Sequence, residues 1–366
     1  MKAVFLTGPN EFSIQDVAEP IPKRDEVLIQ VRMAGICGTD VHLLRGRNPF
    51  AKYPLIPGHE FMGEVLKAPT RSKLKKGDKV TVFPEVGCGK CPACRGGRLV
   101  HCPEFKFVGV HLPGGGFCER VAVPYQRVFP LPRRMEDKVG AMVEPTAVAV
   151  HANKRAGIGH GRKVVIIGGG TIGLLIAQVA RAYGALCVVL SEPIADRRKI
   201  ARALGFQLIC NPNEEELPSF VQNKIGFPDV VFDVVGTVKT LDDSQSMTRP
   251  NGKIVLIALP PTVGLGVPYL PIFAKELQII GSRTYFVKDF PEAIRLLNSK
   301  KVRVHPIISQ ILPLEKFEEA LDHLEKEPEK YVKILIQPPS YSERQKKVVI
   351  ARSEIPRLST YLSRPL

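Results

Sequence analysis

Cys37, Thr39, Asp40, His42, His59 and Glu60 fall in one short stretch, CGTDVHLLRGRNPFAKYPLIPGHE. It supplies a thiol, a hydroxyl, two imidazoles and two carboxylates. A thiolate and a neutral imidazole are ligands that Zn²⁺ prefers, and a catalytic zinc takes three protein ligands and keeps a fourth position open. Cys37 and His59 supply two, so a third must come from elsewhere in the chain.

A second group, Cys88, Cys91, Cys94 and Cys102, follows the pattern C-x₂-C-x₂-C-x₇-C. Gly87, Gly89, Gly96 and Gly97 give this loop the freedom to wrap around an ion. Four thiolates at such spacing make a closed tetrahedral site, which for zinc is a structural one; an iron–sulfur cluster is the alternative occupant. Eight cysteines in a 366-residue chain without an export signal argue for metal binding or catalysis over disulfides. Cys118, Cys187 and Cys210 lie in strand-like runs and read as small core residues. His101, His111 and His151 lack ligand spacing and are assigned no chemistry.

The run VVIIGGGTIG places Gly168, Gly170 and Gly173 in G-x-G-x-x-G, with Thr171 and Ile172 inside the motif. It stands between a predicted strand and a predicted helix, the context in which glycines let the backbone approach a pyrophosphate at the helix N-terminus. At the end of the next strand, LCVVLSE, Glu192 stands where an acid accepts hydrogen bonds from the adenosine ribose. A carboxylate there repels a 2′-phosphate and favours NAD. Ser191, Arg197 and Arg198 pull the other way and keep NADP open.

The elements that must position these groups divide the chain. Up to about residue 130, short apolar runs such as VLIQV and VTVF alternate with turn residues, which reads as a β-rich unit. A helix begins near Pro145. From Lys163 onward, β-branched runs alternate with amphipathic segments, the pattern of a parallel sheet covered by helices on both faces. FPEAIRLLNSKK and LEKFEEALDHLEK read as further helices and YVKILIQP as a last strand. The Ser-, Pro- and Arg-rich stretch 338–366 reads as a basic C-terminal extension. The expected architecture is therefore α/β with two domains.

The net charge of +16 admits a nucleic-acid-binding module, but the cations are scattered among acids instead of forming a block, so a solvated basic surface is the simpler reading. With no apolar run long enough to span a bilayer and no secretory leader, the sequence reads as a cytoplasmic protein without a membrane partner.

Cys37-Gly38-Thr39-Asp40 with His42, Gly58-His59-Glu60, the four-cysteine loop, Glu144-Pro145 and the glycine motif occur together in one order. In this the sequence resembles the zinc-dependent medium-chain alcohol and polyol dehydrogenases over residues 1 to about 337. The resemblance implies a GroES-like catalytic domain at 1–148, with 284–337 returning to it, and a Rossmann doubly wound domain at 149–283. It also implies two zinc ions per chain and a homo-oligomer, tetramer or dimer. Cys37, His59 and Glu144 correspond to catalytic zinc ligands, and Glu60 to a residue that enters and leaves the metal sphere. Thr39 and His42 match a proton relay running by way of the cofactor ribose, and Asp40 a partner of the His59 imidazole.

Zn²⁺ with one thiolate, one imidazole and one carboxylate is formally neutral and remains a Lewis acid, whereas a second carboxylate would oppose alkoxide formation. Glu144 is thus the expected resting ligand, with Glu60 or water exchanging. The resemblance implies oxidation of a secondary hydroxyl of a polyol or sugar-derived substrate. Arg45, Arg47 and Lys52, between the ligands, match the part of the family that faces the substrate mouth. They resemble a segment of hexonate (gulonate or galactonate) dehydrogenases, while KELQIIGSRTY resembles a wider set that includes butanediol, sorbitol and iditol enzymes. Threonine dehydrogenation and a zinc-free quinone reductase of related fold are the other candidates within the oxidoreductases.

Overall fold

The computed structural model describes residues 1–48, 51–112, 114–258 and 266–339. Beyond Pro339 the basic extension lies outside the described residues, as do Pro49 and Phe50 between the first two metal-type ligands.

The apolar run in Glu26–Gly35 forms the longest strand, buried at most positions, and it sits inside a seven-stranded sheet. Its neighbours are Glu60–Lys67 and Arg120–Pro124, both antiparallel, and at its C-terminal end Lys333–Gln337. Two close approaches are fixed by this register. Glu60 lies opposite Gly35, and Lys333–Gln337, almost 300 residues later in the chain, is held beside Ala34 and Gly35. A Cβ on Gly35 would collide with the Glu60 carboxylate and the Lys333 side chain, so the missing side chain makes room for both.

From Lys163 the β-branched runs build a six-stranded parallel sheet in the order Ile209–Cys210, Cys187–Ser191, Lys163–Ile167, Val230–Asp233, Lys253–Leu256, Gln278–Gly281. Val164 to Ile167 are all buried, as a strand covered on both faces requires. The order reverses at Lys163–Ile167, and the chain leaves that strand directly into the glycine motif and the Thr171–Ala182 helix. Ligands of such sheets bind at this reversal. Gly168 has φ +103°, and a Cβ on Gly173 would overlap the Gly168 carbonyl oxygen. Both positions therefore require glycine.

The Val143–Ala156 helix joins the two sheets. Met142 and Val150 pack in one core with Met62 and Phe83 on one side and Ile166 and Leu174 on the other. Helix Asp289–Asn298 also packs on it, while Ile308–Pro313 and Lys333–Gln337 join the seven-stranded sheet. Cys118 and Cys210 are buried core residues.

Glu85, which pairs opposite Phe107, is fully buried. Burial, helped by the nearby Glu144 charge and opposed by the Thr284 hydroxyl and by the Arg283 and Arg127 charges, pushes its pKa from 4.5 up to about 7. A raised carboxyl pKa means that the native state holds the proton more tightly than the unfolded chain. The associated stability is full below the unfolded pKa and lost as pH rises through about 7. Glu85→Gln should therefore match the native protein near pH 4 and exceed it at pH 8 by about 2–3 kcal/mol in denaturant unfolding. A variant less stable than the parent at pH 8 would contradict this account.

Candidate metal and dinucleotide site

Cys37 ends the loop after Glu26–Gly35 and caps the Gly38–Leu44 helix, and its backbone N–H donates to Asp40 Oδ2 at 2.9 Å. His59 follows Gly58, whose φ of +96° turns the chain into the Glu60–Lys67 strand. Ligand atoms of Cys37, His59 and Glu60 lie within 4.8 Å of one another. His59 Nδ1 faces Asp40 Oδ1 at 3.4 Å, which leaves Nε2 for a metal. An imidazole held this way by a carboxylate is fixed in tautomer and orientation and is a stronger ligand. Burial alone would lower the His59 pKa, but Asp40 and Cys37 hold it well above the ordinary value.

Glu144 stands outside that tight set but lines the same cleft as His59 and Glu60. Its buried carboxylate accepts a 2.6 Å hydrogen bond from the Tyr285 hydroxyl, and burial, then the Glu60 charge, push its pKa up to about 7. The carboxylate gathered with the thiol and imidazole is that of Glu60, on the strand that follows His59. The sequence preference for Glu144 rested on the family resemblance and on charge, and nothing local in the sequence reveals two long-range partners. One is Tyr285 on Glu144. The other is Lys333, whose buried ammonium pairs with Glu60 Oε2 and donates to the Ile36 carbonyl at 2.8 Å. With Lys333 present, a thiolate and two carboxylates no longer leave the site strongly anionic.

Cys88, Cys91, Cys94 and Cys102 also bring their sulfurs within 4.8 Å of one another, and no disulfide joins them. The N–H groups of Cys88 and Cys94 donate to the sulfurs of Cys102 and Cys91 at 3.3 and 3.4 Å. Such bonds favour thiolates.

Two clefts meet at the Cys37–His59–Glu60 cluster, sharing Cys37, Glu60 and Ile172 as lining. The smaller, about 280 Å³, is lined by Thr171 of the glycine motif, Arg197, His42 and Lys333. The larger, about 780 Å³, contains Thr39, His59 and Glu144. Thr39 Oγ1 lies 3.7 Å from Cys37 Sγ. Thr39 and His42 thus open into different clefts on either side of the cluster.

Glu192 is buried, with its two carboxylate oxygens accepting from the N–H groups of Gly169 (2.7 Å) and Ile194 (2.9 Å). It braces the glycine turn and puts negative charge beside it. Arg198 donates to the carbonyls of Glu192 and Pro193, and Arg197 to that of Pro328, while the buried Arg197 Nε has no partner.

Of the cations between the ligands, Arg45 departs from its expected place at the substrate mouth. Arg45 is tied to Glu325 and to Asn10, so its charge is spent on a contact between distant loops. The larger cleft takes Asn48 from this segment and further basic side chains from elsewhere. His101, His111, His151, Arg155 and Arg283 all line it, including the three histidines given no chemistry from sequence. Glu144, Val148, His151 and Arg155 recur on one face of the Val143–Ala156 helix and line the cleft together. His151 Nδ1 pairs with Asp289 at 2.9 Å, and Asp289 also binds Lys154 and the Phe286 N–H, fastening the 282–286 segment to that helix.

The chain matches the alcohol dehydrogenase GroES-like domain over residues 23–133 and the zinc-binding dehydrogenase domain over residues 171–299. It is 34% identical over 333 residues to 2-dehydro-3-deoxy-L-galactonate 5-dehydrogenase of Pseudoalteromonas atlantica, covering 90% of this chain and 96% of that one. A sorbitol dehydrogenase of Arabidopsis thaliana is 33% identical over 317 residues, 84% of this chain and 86% of the relative. An alcohol dehydrogenase from Escherichia coli, solved with NADH, superposes with a TM-score of 0.86 at 29% identity, covering 92% of this chain and 99% of that one. With both domain types matched in order and a shared architecture along nearly the whole described chain, this protein belongs to the zinc-binding, medium-chain dehydrogenase family of the polyol and sugar-acid type.

Proposed function

We propose that the protein is a zinc-dependent oxidoreductase that transfers hydride from a secondary hydroxyl of a polyol or sugar-derived substrate to NAD. The observation that carries this reading is the Cys37–His59–Glu60 cluster at the junction of two clefts, one reached by the glycine motif and the other by Thr39.

The donor chemistry fits zinc at both sites. Cys37, His59 Nε2 and Glu60 would hold a catalytic ion, with Glu144 as the exchanging carboxylate, and the four-cysteine loop a structural one. Bound there, zinc would lower the pKa of a substrate hydroxyl and the nicotinamide would accept the hydride. The protein's own part is orientation and proton movement. Asp40 fixes the His59 ring, Lys333 offsets the Glu60 charge, and Tyr285 holds Glu144 in reach of the cluster. Thr39 Oγ1 takes the hydroxyl proton in the larger cleft, and His42, in the smaller one, passes it outward. Gly168, Gly170, Thr171, Ile172 and Gly173 would cradle the pyrophosphate with Arg197, and the Glu192 charge would favour NAD over NADP.

The same reading makes the protein a cytoplasmic homo-oligomer, since its thiols need a reducing compartment. Among the described residues no helix is long and apolar enough to cross a membrane. The end strand Gln278–Gly281 and the neighbouring helix Tyr269–Ala274, with Tyr269, Leu270 and Phe273 at 74%, 71% and 69% exposure, offer a surface for a second copy. Sedimentation should give a dimer or tetramer, and a monomer at micromolar concentration would contradict the assembly.

NAD reduction across polyols, hexonates, diols and threonine should single out polyhydroxy compounds, and silence across the panel would remove the dehydrogenase reading. Cys37→Ser should lose at least about a thousandfold in kcat/KM with one zinc retained per chain; full activity would exclude a catalytic metal at this cluster. Cys94→Ser should lose the other zinc and lower the melting temperature. Lys333→Met, which leaves Glu60 buried without its partner, should cost about 3–5 kcal/mol in unfolding free energy, and an unchanged stability would show that the pair is dispensable.

A further inference from the structure

The larger cleft is chemically asymmetric. Its two carboxylates, Glu60 and Glu144, belong to the metal-type end. Rings lead away from it: His59 packs edge-on to Phe107 at 5.2 Å between centroids, and Phe107 lies 6.0 Å from Phe105. Around Phe105 the charge changes sign. The Arg283 guanidinium sits 5.3 Å above its ring, and the His111 imidazole lies 6.0 Å from it. Lys52 is near enough for its charge, with that of Arg283, to act on His111, whose pKa is lowered by burial and then by those two cations.

Neither Arg283 nor Lys52 forms an ion pair among the described residues. The acid that Arg283 does influence, Glu85, is itself driven toward its neutral form by burial. Next to Arg283, Ser282 is 5% exposed, lines the cleft, and has a hydroxyl without a hydrogen-bond partner. A buried unpaired hydroxyl costs free energy unless a ligand completes it. The segment that carries both is fastened to the Val143–Ala156 helix through Asp289 and His151, so these donors are held in place.

We infer that Ser282, Arg283 and His111, with the Lys52 charge close by, form an anion recess that takes the terminal oxyacid group of a polyhydroxy substrate whose hydroxyl is presented at the Cys37–His59–Glu60 end. This rests on the dehydrogenase reading for its second half and narrows the substrate class to sugar acids or polyol phosphates. A guanidinium suits either group, since it can donate two parallel hydrogen bonds to a carboxylate or phosphate. Arg283, His111 and Lys52 come from segments far apart in sequence, and Arg45, paired with Glu325, is not among them.

Calorimetry on the zinc-loaded protein saturated with NADH, which fills the cofactor cleft and blocks oxidation, tests the recess directly. A hexonate and a hexitol 1-phosphate are compared with the parent hexitol. At least one anion should bind about tenfold or more tightly than the hexitol, a difference of about 1.4 kcal/mol. The better of the two identifies carboxylate or phosphate as the source of the charge. In Arg283→Gln the preference should fall severalfold, and in Arg283→Gln with Lys52→Gln it should vanish. Equal affinities for the hexitol and both anions, or a preference that survives the double substitution, would overturn the recess. An anion preference without NAD reduction by any of these compounds would keep the recess and remove the dehydrogenase reading. Hexitol oxidation with no anion preference would do the reverse.

Discussion

The structure depends on keeping two acids and a thiol close together in a nearly dry place. Glu60 is 2% exposed beside Cys37, and a carboxylate in such surroundings is costly unless paired and hydrogen-bonded. Lys333 meets that requirement. Its ammonium binds Glu60 and the Ile36 carbonyl from the last strand of the described chain, so the sheet cannot close without bringing the ends of the chain to the site. Gly35 is part of the same arrangement, because any Cβ there would occupy the space in which carboxylate and ammonium meet.

Around this pair each neighbour has one task that its geometry explains. Asp40 sits behind His59 and is also tied to the Cys37 N–H, so one carboxylate orients two members of the cluster at once. Tyr285 binds Glu144 within the cleft, leaving one carboxylate in the tight cluster and a second lining the same cleft. The Val143–Ala156 helix carries Glu144 at its start and Arg155 near its end, and packs between the two sheets, so cleft and core share one element. A change in how that helix packs would be felt at the ligands.

The cofactor side follows the logic of parallel sheets. The strand order reverses at Lys163–Ile167, the glycine turn follows at that reversal, and Glu192 from the adjacent strand grips the turn through the Gly169 N–H. A residue that the sequence identifies only by its spacing from the glycines is thus also a brace for them, and the two roles are compatible because each carboxylate oxygen can accept more than one hydrogen bond.

Chemistry carried by neighbouring residues was legible in the sequence. The four-cysteine loop, the glycine motif and the Cys37 and His59 ligand types depend on local spacing, and β-branched runs alternating with amphipathic segments imply a parallel sheet because a buried strand and a helix face demand those patterns. Contacts between residues far apart in sequence were not legible. That Glu60 rather than Glu144 joins the cluster, that Lys333 and Tyr285 partner them, that Arg45 is taken by Glu325, and that Arg283 lines the cleft all depend on strand register and helix packing. A side chain's type states what it can bind; only the fold, by deciding which groups are buried together, states what it does bind.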